Sequence, residues 1–341
     1  MAKIKKDTSL RKAILQAAIT GQLISNVEGE TEKGKQLLDR IIEERNKKLL
    51  AEWEEKLKEN PKTKKPTQIV ASEIDEEEIP FEIPENWCWC RWGELSDSIQ
   101  YGYNAPAKES GRIKMVRITD IQDGKVQWET VPYCEISEEE ILSYKLKKND
   151  ILFARTGGTV GKSFLVDEEP ENSVYAGYLI RTQYDSKKLN PKYLKMFMES
   201  QLYWEQLKNG TIATAQPNCN GQTLSKMIVP LPPLAVQNAI VAKLEKVLPL
   251  VDAYENAVLQ KEELKTALPE KVKKAILQEA IQGKLTEDWR KTATIEETGK
   301  QLLDRIIEER NAKLLAEWEE AKKKNPKVKK TTQIVATEID E

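Results

Sequence analysis

The chain repeats its own opening segment near its end. Residues 34–45 and 299–310 are identical at all twelve positions, and residues 34–76 agree with residues 299–341 at 36 of 43 positions. The copies are offset by 265 residues, whereas the repeat units of solenoid proteins are about 20–50 residues long. The segment is therefore used twice around one larger unit, and both copies should adopt the same local structure.

Each copy is predicted to form a helix, a turn and a second helix. Upstream of the identical block, residues 12–23 match residues 274–285, with apolar residues at helical spacing. The second helix of the first copy covers about residues 35–59 and carries an apolar stripe that includes Trp53, whose counterpart is Trp318. A fully solvated charged helix is the alternative, but so apolar a stripe favours docking. We predict that Trp53 and Trp318 dock on a partner protein.

Composition and periodicity divide the chain into four segments. Charged residues make up 32% and aromatic residues 6% of the 341 residues, which favours long exposed helices over an all-β fold. The predicted segments are helical at 1–78, mixed at 79–233, a long spacer helix at 234–270, and helical again at 271–341. We predict an α+β fold in which one mixed recognition domain is flanked by long, coiled-coil-like helices, with the helix–turn–helix segment duplicated at both ends.

Local patterns predict the elements of the mixed domain. Short runs of β-branched and aromatic residues predict strands at 113–118, 151–154, 163–166 and 178–183. One clear helix is predicted at 193–207.

The spacer helix carries apolar residues that alternate by four and three, as in a coiled-coil seam. A single helix cannot bury such a seam alone, so the pattern predicts a dimer contact. Lys261 and Lys265 interrupt the seam, and the alternative is that part of it packs against the chain's own repeated helices. The predicted seam consists of Ile240, Leu244, Val247, Val251, Tyr254 and Val258.

The composition excludes several kinds of chemistry. The chain has no His, which removes Ser-His-Asp and Cys-His catalysis and zinc sites that need imidazole. Its four Cys lack the spacing of a disulfide framework, so we expect reduced thiols and a cytoplasmic protein. No stretch reaches the roughly 18 apolar residues of a membrane span. We predict no catalytic residue, no metal and no cofactor.

Residues 156–163 read Thr-Gly-Gly-Thr-Val-Gly-Lys-Ser and resemble a phosphate-binding loop. Such a loop has a glycine where this chain has Thr156, and a helix follows it. Here the residues after Lys162 are typical of a strand. The segment is therefore predicted as a Gly-rich hairpin, whose turn brings Arg155 and Lys162 close to a phosphate backbone.

The charge of the mixed domain is balanced. Residues 87–233 carry 18 Lys and Arg against 18 Asp and Glu, whereas an autonomous DNA-binding domain usually has a basic excess. Two loops nonetheless carry groups that read base edges. Residues 101–117 combine basic residues with tyrosines, and residues 209–220 are rich in Thr, Gln and Asn. Taken singly, each loop is equally compatible with a simple turn.

Four stretches resemble the specificity subunit of type I restriction–modification systems. They are residues 79–87, 150–161, 216–221 and 228–240, and with the helices and the duplication the likeness spans nearly the whole chain. The resemblance implies a target recognition domain that reads double-stranded DNA in the major groove. It also implies helical spacers that bind the modification methyltransferase subunits, an association with the restriction and translocase subunit through that complex, and no catalysis in this chain.

The resemblance and the two loops together give the candidate DNA contacts. We expect Asn104, Arg155, Gln216 and Asn218 to read bases, and the lysines and Arg112 to meet phosphates mainly. The full set is Tyr101, Tyr103, Asn104, Lys108, Arg112, Lys114, Arg155, Thr156, Lys162, Thr211, Thr214, Gln216 and Asn218.

The family normally has two recognition domains per chain, and this sequence has one, so we interpret it as a half-length form, natural or truncated. One domain cannot read a two-part target, and two-fold symmetry would make both half-sites the same. We therefore predict a homodimer that reads an interrupted palindrome. A spacer of about 35 residues spans roughly 50 Å, or some one and a half turns of duplex. Two other classes remain open: a decoy that binds the methyltransferase without directing it to DNA, and a coiled-coil scaffold with no DNA role.

Overall fold

The structure, a computed structural model, describes residues 8–122, 124–210 and 219–337. It divides into two compact units, Met1–Gln260 and Lys261–Glu341, so the first two predicted segments and most of the third share one unit. The four-segment division itself stays a prediction. None of the helices in the described ranges has the length and apolar composition needed to span a lipid bilayer.

Helices and strands are mixed along the first unit, which confirms the α+β class. The helices are α1 (Ser9–Ile19), α2 (Gly34–Glu59), α3 (Trp92–Leu95), α4 (Glu138–Tyr144), α5 (Pro191–Phe197), α6 (Gln201–Gly210), α7 (Gly221–Lys226), α8 (Leu234–Ile281), α9 (Glu287–Thr292) and α10 (Gly299–Lys324). The strands are β1 (Cys88–Arg91), β2 (Ser98–Tyr101), β3 (Ile113–Val116), β4 (Ile121–Gln122), β5 (Lys125–Val126), β6 (Tyr133–Cys134), β7 (Ile151–Ala154), β8 (Ser163–Leu165), β9 (Ser173–Tyr175), β10 (Leu179–Gln183) and β11 (Ile228–Leu231).

The strands form one larger sheet and three small ones. The larger sheet is antiparallel, with the order β2-β10-β7-β8. A three-stranded sheet has the order β6-β3-β9, and two-stranded pairs are formed by β1 with β11 and by β4 with β5. All four predicted strands are confirmed, as β3, β7, β8 and β10. The pairing of β7 with β8 also confirms a hairpin, not a phosphate-binding loop, around the glycines.

The single helix predicted at 193–207 is wrong, because the chain breaks there into α5 and α6. The hydroxyl of Ser200 causes the break. Its Oγ donates to the carbonyl of Phe197 at 2.7 Å and accepts the N–H of Tyr203 at 3.3 Å. Ser200 is therefore the N-cap of a new helix, and the apolar periodicity continues across the interruption.

The largest buried cluster of the first unit joins residues of the helices, the β1–β11 pair and the four-stranded sheet. Helix α1 packs on α5 and α6, whereas α2 packs on α3, β1 and β11. Arg11 on α1 forms ion pairs with Glu199 at 3.3 Å and with Asp252 on α8 at 3.4 Å. The N-terminal helices are thus integral to this unit.

Part of the predicted seam is covered within the chain itself. Helix α8 extends past residue 270, its predicted end, and Ile240, Leu244 and Val251 are buried within the chain. Ile240 and Leu244 belong to the same buried cluster as Leu15 of α1. The period predicted an apolar face, and Ile240 and Leu244 of that face pack in the chain's own core, which was the alternative. The dimer contact itself stays a prediction. Of the remaining three, Val247 and Val258 are half-buried and Tyr254 is exposed.

Candidate nucleic-acid interface

At one end of the four-stranded sheet, the ends of β2 and β7 lie beside the starts of β8 and β10. Because the strands are antiparallel, the end of β2 and the end of β7 lie beside the start of β10, with Ile180 opposite both Tyr101 and Phe153. The start of β8 lies there too, since Ser163 pairs with Phe153. Sheet topology therefore brings Tyr101 to the same end of the sheet as Arg155 and Lys162, which flank the Gly-rich turn.

Arg155 and Tyr101 form a stacked pair at this end of the sheet. The guanidinium carbon of Arg155 lies 4.7 Å from the ring centroid of Tyr101. The Tyr101 hydroxyl accepts the N–H of Gly221 at 3.0 Å, and the Arg155 carbonyl accepts the N–H of Cys219 at 2.9 Å. Arg155 is half-buried, its Nε has no hydrogen-bond partner, and no carboxylate in the described ranges pairs with it. Among the described residues, its guanidinium therefore has no anionic partner.

The Gly-rich hairpin supplies a second cation. Gly157 and Gly161 have φ of +75° and +88°, values that favour glycine. A Cβ atom at Gly161 would also lie 2.2 Å from a methyl carbon of Leu207. The turn that they form leaves Lys162 exposed, with no ion pair to any described carboxylate. Thr156 is half-buried at the start of the same turn.

Asn104 and Tyr178 extend this end of the sheet. The side chain of Asn104 packs against Gly177, where a Cβ atom would lie 1.9 Å from its Oδ1, and its amide is exposed. Tyr178 is 66% exposed, and its carbonyl accepts the N–H of Arg155 at 3.1 Å. Sequence reasoning counted Tyr178 only as a strand residue. The sequence signal for an exposed side chain here was its position directly after Gly177 and before a buried strand. We call Tyr101, Asn104, Arg155, Lys162 and Tyr178 the strand-end surface.

The other basic candidates are paired with carboxylates. Lys108 forms an ion pair with Glu135, and Arg112 forms one with Glu138. These two cations are exposed, so the pairs are weak and a phosphate could replace the carboxylates at little cost.

Lys114 and Tyr103 have structural contacts of their own. The Lys114 side chain is only 17% exposed, donates to the carbonyl of Trp128 at 2.8 Å and lies 2.7 Å from Glu171. The Tyr103 hydroxyl lies 3.2 Å from a carboxylate oxygen of Glu140. Burial, followed by the charge of Glu140, raises the pKa of Tyr103. These contacts explain both residues without DNA.

Four candidates lie outside the described residues: Thr211, Thr214, Gln216 and Asn218. The neighbouring residues are described and lie at the strand-end surface. Cys219 contacts Arg155 through the backbone, and Asn220 caps α7 by accepting the N–H of Thr223 at 2.8 Å.

Trp53 and Trp318 have matching local roles. The indole N–H of Trp53 donates to the carbonyl of Thr63 at 3.0 Å, and that of Trp318 donates to the carbonyl of Val328 at 3.3 Å. Each tryptophan thus holds the extended segment that follows its own helix. Both side chains are partly buried, and their role in docking a partner protein remains a prediction.

Thiol chemistry is disfavoured beside this surface. Burial raises the pKa of Cys219 to about 11, so its thiol is protonated at neutral pH. Within the described ranges, no group of three acidic or Cys side chains is arranged to hold a metal ion. The surface therefore offers binding groups: a stacked guanidinium, an amide, an ammonium and two tyrosines.

Comparison with known proteins gives a consistent set of relatives. A family model described as the type I restriction modification DNA specificity domain matches residues 84–263, more than half of the chain. The specificity subunit of the type I restriction enzyme EcoEI of Escherichia coli is 26% identical over 250 residues, covering 70% of this chain and 39% of the relative. That of EcoKI, from strain K12, is 28% identical over 224 residues, covering 63% and 47%.

The likeness extends to an archaeal protein and to solved structures. The specificity subunit of MjaVIII from Methanocaldococcus jannaschii is 27% identical over 212 residues, covering 60% of this chain and 47% of the relative. The chain therefore spans less than half the length of these three curated relatives. The crystal structure of the HsdS subunit from Thermoanaerobacter tengcongensis matches with a TM-score of 0.42 at 20% identity, covering 73% of this chain and 56% of that one.

Proposed function

The chain belongs to the type I restriction–modification DNA specificity family, and from this premise we propose that its strand-end surface reads a base sequence in duplex DNA. The observation that carries the proposal is the Arg155–Tyr101 contact: the guanidinium carbon lies over the ring, 4.7 Å from its centroid, and no carboxylate among the described residues pairs with it. Arginine in this state is suited to donate two hydrogen bonds to the O6 and N7 acceptors of guanine in the major groove.

The other groups of the surface complement this role. The exposed amide of Asn104 matches the donor–acceptor pair that adenine presents in the major groove. Lys162 lies on the adjacent turn, where a phosphate contact would set the register of the domain on the duplex. Lys108 and Arg112 are additional phosphate contacts, while Lys114 is committed to Trp128 and Glu171.

Partners follow from the same premise. We propose that the chain directs a methyltransferase, and through it a restriction and translocase subunit, to the target, and that it acts as a homodimer reading an interrupted palindrome. The relatives are specificity subunits of restriction enzymes, which supports a non-catalytic role in such a complex. The net charge of residues 87–233 is zero by count, so the isolated domain lacks the basic excess that strengthens most DNA binding, and we expect its affinity to be low.

Selection of bound duplexes from a random pool tests the proposal. The chain is used alone and together with methyltransferase subunits, and its mass is measured in both states. We expect weak enrichment alone, and strong enrichment of a palindromic, interrupted sequence with the partner. If the chain binds the methyltransferase but enriches no duplex, it is a decoy. If it binds neither the methyltransferase nor DNA, it is a scaffold. An asymmetric two-part site would contradict the homodimer alone.

Replacing Lys162 with Ala should weaken binding to all duplexes alike. A phosphate contact carries no base information, and its loss should reduce the slope of log affinity against log salt by about one. Lys192→Ala is the matched control, because this lysine is exposed on α5 and pairs with Glu245 of α8. Titrations at several salt concentrations check the result. An unchanged slope, or a loss confined to one sequence, would contradict the phosphate assignment.

A further inference from the structure

The N-terminal copy of the repeat is a docking module. Helix α2 buries Gly34 and four large residues against the α3, β1 and β11 part of the recognition domain, which we call the docking site. The four are Leu37, Leu38, Ile41 and Ile42. Arg45 adds a hydrogen bond from Nη1 to the carbonyl of Gly93 at 2.8 Å. This face of α2 is therefore shaped to one surface of the domain.

Gly34 is needed for close approach at this docking site. Its N–H donates to the carbonyl of Asn86 at 2.8 Å. A Cβ atom at Gly34 would lie 2.1 Å from the carbonyl oxygen of Leu231 and 2.9 Å from the amide nitrogen of Cys88. Both neighbours are backbone atoms that cannot move aside cheaply. Any side chain at position 34 would therefore push α2 off the domain.

The C-terminal copy keeps the same face but leaves it uncovered. Helix α10 has the same 26-residue length as α2, and Asn311 holds Ile334 with two 2.8 Å hydrogen bonds, as Asn46 holds Ile69 in the first copy. The counterparts of Leu37 and Ile41, which are 0% and 5% exposed, are Leu302 and Ile306, which are 40% and 49% exposed. The C-terminal copy is folded within the second unit, but no described residue of that unit covers its apolar face.

Gly299 is the most informative residue of this copy. It is the counterpart of Gly34, yet no atom lies within 4 Å of the place where its Cβ would be, and its φ is not positive. Glycine is a poor helix former, and nothing within the described part of the second unit requires it.

The differences between the copies point the same way. Between residues 34–76 and 299–341 they fall at seven positions, and the five buried positions of α2 are all unchanged in α10. The copy has thus kept each feature of the docking face, including the glycine.

We propose that the C-terminal copy docks on the recognition domain of a second copy of this chain, in the place that α2 occupies. The proposal rests on the proposed homodimer for the identity of the partner, and it does not depend on DNA reading. Because the docking residues are the same, the exchange loses and gains equivalent contacts, as in a domain swap. Because α2 is covalently linked to its own domain, the N-terminal copy is favoured over the C-terminal copy at the docking site. A change that prevents α2 from docking should therefore reveal docking by the C-terminal copy.

The pair Gly34→Ala and Gly299→Ala tests the proposal in the full chain. Gly34→Ala blocks α2 and should give a dimer, twice the 39.0 kDa of one chain, at micromolar concentration. Gly299→Ala has no local clash and should leave the chain folded without such exchange. The double variant should lose the dimer. A monomeric, stably folded Gly34→Ala chain, or a double variant that dimerises equally well, would overturn the proposal. DNA selection is not involved, so failure here is separate from failure of the proposed function.

A cross-linking experiment covers the case in which Gly34→Ala does not fold. Glu85→Cys and Lys300→Cys are introduced together into the otherwise unchanged chain. Glu85 precedes Asn86, which accepts the N–H of Gly34, and Lys300 follows Gly299. Burial raises the pKa of the native Cys88 to about 12, so it reacts slowly with a thiol-directed linker. Because α2 still competes for the docking site in this chain, the exchanged state is a minor one, but each cross-link traps it irreversibly. We therefore expect a covalent dimer that accumulates with time and that Gly299→Ala abolishes. Cross-linking only within single chains, or none, would contradict a second copy as the occupant.

Discussion

Replacing Arg181 with Met should lower the free energy of unfolding of the first unit by about 3–5 kcal/mol. Arg181 is buried in β10, and its Nη1 lies 3.3 Å from Oδ2 of the buried Asp150. The guanidinium also donates to the carbonyls of Lys145 and Ser143, both at 2.7 Å, at the end of α4. Methionine keeps much of the apolar volume but leaves a carboxylate and two helix carbonyls buried without these donors.

The loss of stability should depend on pH. Burial raises the pKa of Asp150, and the charge of Arg181 partly opposes that rise. Without Arg181 the pKa of Asp150 should rise further, so the folded variant binds a proton more tightly than the unfolded chain does. Such a group favours folding more as the pH falls. The difference in stability between wild type and variant should therefore shrink as the pH falls towards the raised pKa of Asp150.

Urea unfolding followed by tryptophan fluorescence measures both effects. Lys192→Met is the matched control, because it removes one member of the exposed pair with Glu245 and should change stability by less than about 1 kcal/mol. Replacing both partners, by Arg181→Met with Asp150→Asn, should lower the free energy of unfolding less than Arg181→Met alone does. Equal losses for Arg181→Met and Lys192→Met would show that the buried pair is not a major source of stability.

Local patterns predicted the elements of this protein well, because they depend on neighbours in sequence. Strand β7 was predicted with its observed bounds, since its four apolar residues are bounded by Asp150 and Arg155. The helix break at Ser200 was missed, because one hydroxyl acting as a cap does not disturb apolar periodicity.

Burial could not be predicted, because it depends on the partner and not on the segment. The identical residues 34–45 and 299–310 are the clearest example: Leu37 is buried, and Leu302 is exposed. The seam of α8 shows the same limit. Its period predicted an apolar face, but only tertiary structure shows that Ile240 and Leu244 pack on the chain's own core.

The candidate interface was predicted in part for a similar reason. Arg155 and Lys162 were found because they flank a Gly-rich turn, whose sequence signal is local. The pairing of Arg112 with Glu138 joins residues that are distant in sequence. Sequence alone therefore lists the cations but does not separate those that are free from those that are paired.

Replacing Arg155 with Lys should relax base discrimination at one position of the target by about 1–3 kcal/mol, while leaving other positions unchanged. Lysine keeps the positive charge, so the dependence of affinity on salt should be retained. What it loses is the planar pair of donors of the guanidinium, which lies over the ring of Tyr101. The effect is therefore expected in specificity, in contrast to the uniform loss expected for Lys162→Ala.

Changes at Tyr101 test whether the stack orients the guanidinium. Tyr101→Leu removes the ring and should reproduce much of the Arg155→Lys effect at the same position. Tyr101→Phe keeps the ring and loses only the hydroxyl that accepts the N–H of Gly221, so its discrimination should stay close to wild type. Competition between duplexes that differ at single positions of the selected site gives these values. If Arg155→Lys discriminates as the wild type does at every position, the guanidinium reads no base, and the strand-end surface contacts only the DNA backbone.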